Sequence, residues 1–244
     1  IQDLIQRRVD VIIVNVTNAE AVAPVVEMAV AAGIPVVGLS SLPATDQLAA
    51  TVGADHYGMG RLQAQCLGAK LPADAEIAIM AGPAGVNWAM ERTAGFKDTL
   101  AAEYPGMRII AEINSNSDRN NGLRIMEDWL QAFPKLAGIA TVVDDLGAGA
   151  ADAIAAANRT GQILISSSNL SAIGYQYLQD GKIDCQSAQQ GVLQGRVALQ
   201  SAISIALGEE LEDTKFITDA LLIESEGLDT IDLSSISAPA GYRP

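Results

Sequence analysis

Residues 9–16, VDVIIVNV, form an unbroken apolar run rich in β-branched side chains. A strand with one solvated face alternates apolar and polar residues. A strand that does not alternate needs cover on both faces, the condition of a parallel sheet flanked by helices. The following residues agree. Thr17 and Glu20 stand at capping-box spacing before an Ala/Val-rich helix that ends at Gly33, and IPVVGL (34–39) is the next strand. Strand, helix and parallel strand make a right-handed βαβ unit. Pro24 either opens the main helix, where its missing N–H costs nothing, or kinks it.

The pattern recurs along the chain. Further strands are expected at 50–54, 76–81, 108–113, 138–143, 162–167 and 183–188. Helices are expected at about 57–71, 87–104, 120–133, 145–158, 171–180 and 190–207. Such alternation is α/β with mostly parallel sheets. No low-complexity linker or short repeat interrupts it, so any division into lobes must come from chain crossings within the fold. The opening IQDLIQRR places Ile1, Leu4 and Ile5 on one helical face with no capping residue before them. It reads as the inside of a helix, as if an upstream βα unit were missing.

Composition removes several function classes. The 244 residues carry 15 Lys+Arg against 29 Asp+Glu, a net charge of −14, which repels a phosphate backbone and argues against nucleic acid. Residues 21–39 have Glu27 as their only charge and nearly enough length for a bilayer, but Gly33 and Pro35 split them into a helix and a strand. A membrane-embedded chain is therefore not expected. Cys66 and Cys185 lack CxxC spacing and a neighbouring His, which excludes a metal knuckle, and two separate thiols are expected before one disulfide. The sequence holds no signal-peptide pattern, so an exported protein would be a processed or trimmed chain.

The turn GPAGVN (82–87) follows an apolar strand but matches neither GxGxxG nor the phosphate loop that ends in Gly-Lys-Ser/Thr. Its glycines serve a tight strand-to-helix turn, with Asn87 as the expected helix cap. Arg92 then falls about one and a half turns into the helix, near the strand's carboxyl end. The single histidine, His56, has no GxSxG elbow to form a triad with. Asp144 and Asp145 follow the strand GIATVV. They suit helix-dipole stabilisation and ligand contact equally well. Polar side chains recur wherever an apolar strand stops: Asn15, Ser40, Ser41, Asp55, His56, Asn87, Ser115 to Asp118, Asp144, Asn169 and Gln189. In an open α/β sheet that edge is where ligands bind. The set offers hydrogen bonds without a nucleophile–base pair, the inventory of a binder rather than an enzyme.

Several segments, in order and spacing, resemble type I periplasmic solute-binding proteins of the ribose-binding class. They are VDVIIVNVTNAEAVAPVVEMAVAAGIPVVGLS, GADHYGMG, MAGPAGVNWAMERTAGF, SDRNNGLRIMEDWLQAFPKLAGIATVVDDLGAGAADAI and YLQDGKIDCQSAQQ. The resemblance implies two Rossmann-like lobes with parallel sheets, a three-crossing hinge near Ala54, Gln189 and Asp219, and a small ligand clamped between the lobes. Lobe I would be 1–54 plus 190–219, lacking its N-terminal βα unit. Lobe II would be 55–189 plus 220–244. By the same resemblance Arg92 matches an arginine that grips ligand hydroxyls, and Asn15 and Gln189 match polar ligand contacts.

The departures from the sugar-binding pattern imply a smaller or less hydroxylated ligand. Ser40-Ser41 stand where relatives often place Asp-Arg, Val143 where they have Asn, Asn169 where they have Asp, and Ser117 where an aromatic is frequent. The tail SISAPAGYRP with GADHYGMG also resembles the branch that senses trimethylamine N-oxide, although His56 replaces a ligand-contacting Trp of that branch.

The expectation is thus an extracytoplasmic, periplasmic solute-binding protein of an ABC-type uptake system. It would act as a monomer without catalytic residues, cofactor or metal, with an ABC permease as partner. Asn15, Ser40, His56, Trp88, Arg92, Asp144, Asn169 and Gln189 are the candidate ligand-binding residues, Trp88 and His56 supplying flat surfaces. The alternatives are a ligand sensor that docks on a membrane histidine kinase and, in another class, a hydrolase- or isomerase-like α/β enzyme dependent on His56. A repressor core shares the fold, but the sequence has no helix-turn-helix segment.

Overall fold

Strand alternation and helix caps translate into eight helices and ten strands among the residues described, which are 1–226, 228 and 231–238 of a computed structural model. Most of the SISAPAGYRP likeness, residues 239–244, lies outside them. In chain order the elements begin α1 (Gln2–Arg7), β1 (Ile12–Val14), α2 (Ala19–Ala31), β2 (Val36–Leu39), β3 (Ala50–Ala54) and α3 (His56–Lys70). They continue β4 (Glu76–Gly82), α4 (Asn87–Glu103), β5 (Arg108–Asn114), α5 (Arg119–Ala132), β6 (Leu136–Thr141) and α6 (Asp144–Ala156). The last are β7 (Leu164–Asn169), α7 (Ala172–Gln179), β8 (Cys185–Ala188), α8 (Gly191–Ala206), β9 (Lys215–Thr218) and β10 (Leu221–Glu224), before a 3-10 turn at Leu233–Ser235.

The chain divides into two units. Unit 1 holds Ile1–Asp55, Gln190–Asp219 and Leu233–Pro244, and unit 2 holds His56–Gln189 and Ala220–Asp232. The final segment differs from the sequence reading, which kept 220–244 together. The 3-10 turn packs on α8 of unit 1, Ile236 is buried, and the chain returns to that unit at Leu233.

Unit 1 is built on a parallel sheet of order β1-β2-β3-β9. Its core gathers Ile12, Val14, Val26, Ala29 and Val36 on one side and Val37, Val52, Ala198 and Ala202 on the other. Helix α2 is capped by Asn18, whose side chain accepts the N–H of Ala21 at 3.0 Å, rather than by Thr17. Pro24 sits inside this helix and not at its start.

Unit 2 is built on a sheet of order β10-β8-β7-β6-β4-β5, parallel except for β10. Strand β4 explains why the sheet must be covered twice. Ala78 and Met80 pack with Ile125, Met126, Leu146 and Ile165 beneath α5 and α6, whereas Ile77, Ile79 and Ala81 pack with Leu67, Phe96 and Leu100 beneath α3 and α4. Each fully buried Leu, Ile, Met or Phe side chain among them contributes about 1.5–3 kcal/mol. Strands β9 and β10, four residues each, were not anticipated, because KFIT and LLIE carry too little pattern to separate from loop.

Helices α3 and α4 approach to backbone distance. A Cβ on Gly60 would stand 1.9 Å from the carbonyl oxygen of Arg92, and one on Gly95 2.0 Å from that of Tyr57. Only glycine permits the crossing. The cysteines correct the expectation of separate thiols: Cys66 of α3 and Cys185 of β8 form a disulfide across 119 residues. The two positions look unrelated in sequence because only the parallel sheet brings β8 beneath α3. No helix among the described residues is long and apolar enough to cross a membrane.

Candidate functional site

Arg92 organises the carboxyl edge of the unit 2 sheet. The strand-to-helix turn runs through left-handed Gly82 and Gly85 (φ +70° and +76°) and delivers Val86 in an extended conformation. Val86 therefore occupies the cap position without a side-chain cap, and Asn87, expected as the cap, is already the first helical residue. The two left-handed glycines place α4 so that Arg92 points inward. It is 2% exposed.

Each guanidinium nitrogen has a protein acceptor. Nε–H donates to Nδ1 of His56 at 3.3 Å, and Nη2 lies 3.3 Å from the same atom. Nη1 donates to the carbonyl of Val142 at 2.6 Å and to Oδ1 of Asn169 at 2.8 Å, and Nη2 donates to Oε1 of Gln189 at 3.0 Å. The guanidinium carbon stands 5.2 Å from the centre of the Trp88 ring, one turn earlier on α4, a cation–π distance. Four of the sequence-derived candidates, His56, Trp88, Asn169 and Gln189, are thus brought together around a fifth. The carbonyl of Val142 was missed, since nothing in a side-chain pattern marks a backbone acceptor.

The electrostatics follow from burial. Desolvation, opposed by the charges of Asp144 and Glu91, lowers the Arg92 pKa to about 9, so it remains a cation at neutral pH. His56 is pushed down to about 3, first by burial and then by the Arg92 charge. A neutral imidazole is the form that can accept from a guanidinium.

Asp144 is 1% exposed and its Oδ2 accepts the N–H of Ser171 at 2.6 Å. Burial raises its pKa against that hydrogen bond. Its carboxylate anchors the loop that leads into α7. Just before this loop, Asn169 and Leu170 take left-handed backbone angles of +100° and +59°, and Asn169 O accepts the N–H of Gln189 at 3.2 Å. Non-glycine residues adopt such angles where the surroundings impose them, often at functional sites. The turn brings the Asn169 amide to Arg92.

In unit 1, Asn15 is exposed beyond β1, and its Oδ1 accepts the N–H of Ser41 at 3.3 Å. Val16 N–H donates to Ser41 O at 3.1 Å. Ser40, with φ +60°, donates its own N–H to Val52 O at 2.7 Å. These residues sit at the carboxyl ends of β1 and β2.

Reaction chemistry finds little support in this inventory. Ser166, Ser167 and Ser168 are fully buried in β7, with Ser167 Oγ bonded to Thr141 and Ser168 Oγ to Ser187, each at 2.7 Å. The Nδ1 of His56 already accepts from Arg92. Among the described residues no group of three or more His, Cys, Asp or Glu side chains is placed to hold a metal ion.

The comparisons with known proteins agree with this geometry. The periplasmic binding protein domain model matches residues 1–210. The ribose import binding protein of Bacillus subtilis is 27% identical over 226 residues, 93% of this chain and 72% of the relative. The xylitol-binding protein of Mycolicibacterium smegmatis is 28% identical over 223 residues, covering 91% of this chain and 63% of the relative. A solute-binding protein of an Actinobacillus succinogenes ABC transporter, solved with D-allose, superposes with a TM-score of 0.87 at 26% identity, covering 94% of this chain and 83% of that one. The chain thus spans between about two thirds and four fifths of these relatives. Two units of parallel strands, polar strand ends and a family match over most of the chain lead to one conclusion: it belongs to the periplasmic binding proteins, an extracytoplasmic family that binds solutes without catalysing their reactions.

Proposed function

We propose that this chain binds a small, oxygen-bearing polar solute and delivers it to the permease of an ABC-type uptake system. The carboxyl edge of the unit 2 sheet provides the contacts, with His56, Trp88, Asn169 and Gln189 facing the solute and Arg92 and Asp144 supporting them. The observation that carries the reading is the buried Arg92 cation, which holds three polar side chains from α3, β7 and the end of β8 in one place. A fold has no need for a buried charge there, and desolvating one is expensive. Trp88 adds the flat apolar surface on which a sugar ring or polyol chain can lie. Relatives named for ribose and xylitol, and a structural neighbour solved with D-allose, put sugars and polyols first among the solutes to try.

A micromolar dissociation constant, about 8 kcal/mol, needs only a few well-placed polar contacts and some desolvated apolar area. Thermal unfolding in the presence of aldoses, polyols, sugar acids, methylamines and amino acids tests the reading. A solute at about 100 times its dissociation constant adds ~2.7 kcal/mol of apparent stability. If no member of these classes raises the melting temperature, solute binding by this chain is refuted.

A further inference from the structure

Helix α8 turns Gln194, Ala198 and Ala202 into the core of unit 1, one face of the helix at i, i+4 spacing. Two of these are apolar. Gln194 is not, although it is 1% exposed. Burying a primary amide is costly unless its hydrogens find acceptors. Here they do. Nε2 donates to the carbonyl of Gly53 at 3.3 Å and to Oγ1 of Thr218 at 2.8 Å. Thr218 is itself buried and donates its hydroxyl proton to the same Gly53 carbonyl at 3.2 Å. The three residues close a triangle of hydrogen bonds inside unit 1.

Each corner of the triangle stands beside a passage of the chain between the units. Those passages fall after Asp55, before Gln190 and after Asp219. Gly53 lies at the end of β3 before the first, Gln194 in the first turn of α8 after the second, and Thr218 at the end of β9 before the third. Two further bonds join the same segments. Asp55 N–H donates to Thr218 O at 3.1 Å, and Gln190 Nε2 donates to Asp219 O at 3.1 Å. Each segment is thus bonded to the other two. Backbone pairing links β3 to β9, but the bonds that bring in α8 come from the side chains of Gln190 and Gln194, and of these two Gln194 is the buried one.

We infer that Gln194 is a positioning residue: a buried clasp that fuses the three passing segments into one block of unit 1 and confines bending of the chain to the residues next along, 55–56, 189–190 and 219–220. An apolar side chain at 194 could pack beside Ala198, but it would offer no hydrogens to Gly53 and Thr218. The segments would then be free to open one at a time, because local opening is governed by local bonds. His56 and Gln189, two of the residues proposed to face the solute, stand directly at the first and second passages. A clasp gives the backbone that carries them a fixed base. That consequence for binding rests on the solute-binding reading, whereas the clasp itself does not.

Amide hydrogen exchange of the whole chain, resolved by NMR, tests the clasp without any solute. The reporter is the Asp55 N–H, whose acceptor is Thr218 O. Its rate is read relative to the slowest amides of unit 1, which report global opening. Gln194→Leu and Thr218→Val should each speed Asp55 exchange by about tenfold or more on that scale, and Thr218→Ser, which keeps the hydroxyl, should change it by less than about threefold. Val26→Ala, a cavity among Ile12, Val14 and Val36, is the control: it lowers stability without singling out Asp55. If Gln194→Leu moves Asp55 no more than Val26→Ala does, Gln194 is ordinary core and the clasp is overturned. Should Gln194→Leu fail to fold, Thr218→Val decides. Melting curves with D-ribose, xylitol and D-allose form the second arm. For a probe that stabilises the unaltered chain, Gln194→Leu should weaken apparent affinity by about threefold or more, and Val26→Ala should leave it unchanged. Unchanged affinity beside a quickened Asp55 amide overturns the consequence for binding. If no probe shifts the melting point, the solute-binding reading falls, while the exchange rates still decide the clasp.

Discussion

Nε and Nη2 of Arg92 both lie 3.3 Å from Nδ1 of His56. A protonated imidazole could not accept from either, so the pair is compatible only with neutral His56. Its pKa of about 3, against an ordinary 6.5, expresses that constraint. Between those pH values the unfolded chain binds a proton that the folded chain refuses. The stabilising contribution is thus fully present above pH 6.5 and is lost as the pH falls toward 3. Asp144 and Asp184, whose pKa values are raised mainly by burial, act in the opposite sense. They are common to wild type and His56→Gln, so the difference between the two isolates the imidazole. Urea denaturation from about pH 4 to 7 should show wild type losing up to ~1.4 kcal/mol per pH unit relative to the variant. Parallel curves would mean that His56 is not held neutral.

Asn169→Asp places a carboxylate 2.8 Å from Nη1 of Arg92. Asp tolerates the left-handed backbone as Asn does, so no strain is added. A charge-assisted hydrogen bond then replaces a neutral one, with a gain of about 1–2 kcal/mol. The neighbouring cation depresses the new carboxyl's pKa, so the gain is present above about pH 4 and disappears below it. Melting temperatures at the two sides of that value check it. A melting point lowered at neutral pH would show that Asn169 does not face the guanidinium as described.

Gly60→Ala or Gly95→Ala should cost about 3 kcal/mol or more, because in each case the new methyl meets backbone, which cannot step aside. Gly195 provides the contrast. It lies inside α8 with nothing within 4 Å of the added carbon, and Gly195→Ala should stabilise by about 0.5–1 kcal/mol. Chemical denaturation of the three variants reads both signs. Similar effects at all three positions would contradict the close α3–α4 crossing.

Cys66→Ala/Cys185→Ala removes a link spanning 119 residues of sequence within unit 2. Loop-closure arguments put such a link at about 4–5 kcal/mol, and measured losses of native disulfides run about 2–5 kcal/mol. A reducing agent should lower the melting temperature of wild type and leave the double variant unchanged. Insensitivity of wild type would mean that the thiols are not joined.

Much of this fold was legible because period and punctuation agree. The unalternating VDVIIVNV and the Gly33 stop declare a doubly covered sheet, and the register of β4 with its two cores is the physical form of that declaration. The alternation of strands and helices placed most elements within a few residues. Strands β9 and β10 escaped because a four-residue strand is recognised by its partner, and the partner is far away in sequence. The disulfide escaped for the same reason. At the site, polar residues at strand ends identified His56, Asn169 and Gln189 as neighbours of the Arg92 helix. What sequence could not convey is direction. Whether Arg92 turns its donors to a solute or to its own chain depends on the Gly82–Gly85 turns and on a backbone carbonyl at Val142. Asn87 was misplaced by one residue for the same cause, since those turns decide where helical angles begin.

The glycine crossing of α3 and α4 also bears on how a solute is captured. Because the two backbones touch at Gly60 and Gly95, the longest side chain near the strand ends is docked before anything arrives. An arginine left loose would surrender roughly 2 kcal/mol of rotamer freedom on closing around a guest. Here that loss is settled when the chain folds and not when a solute arrives.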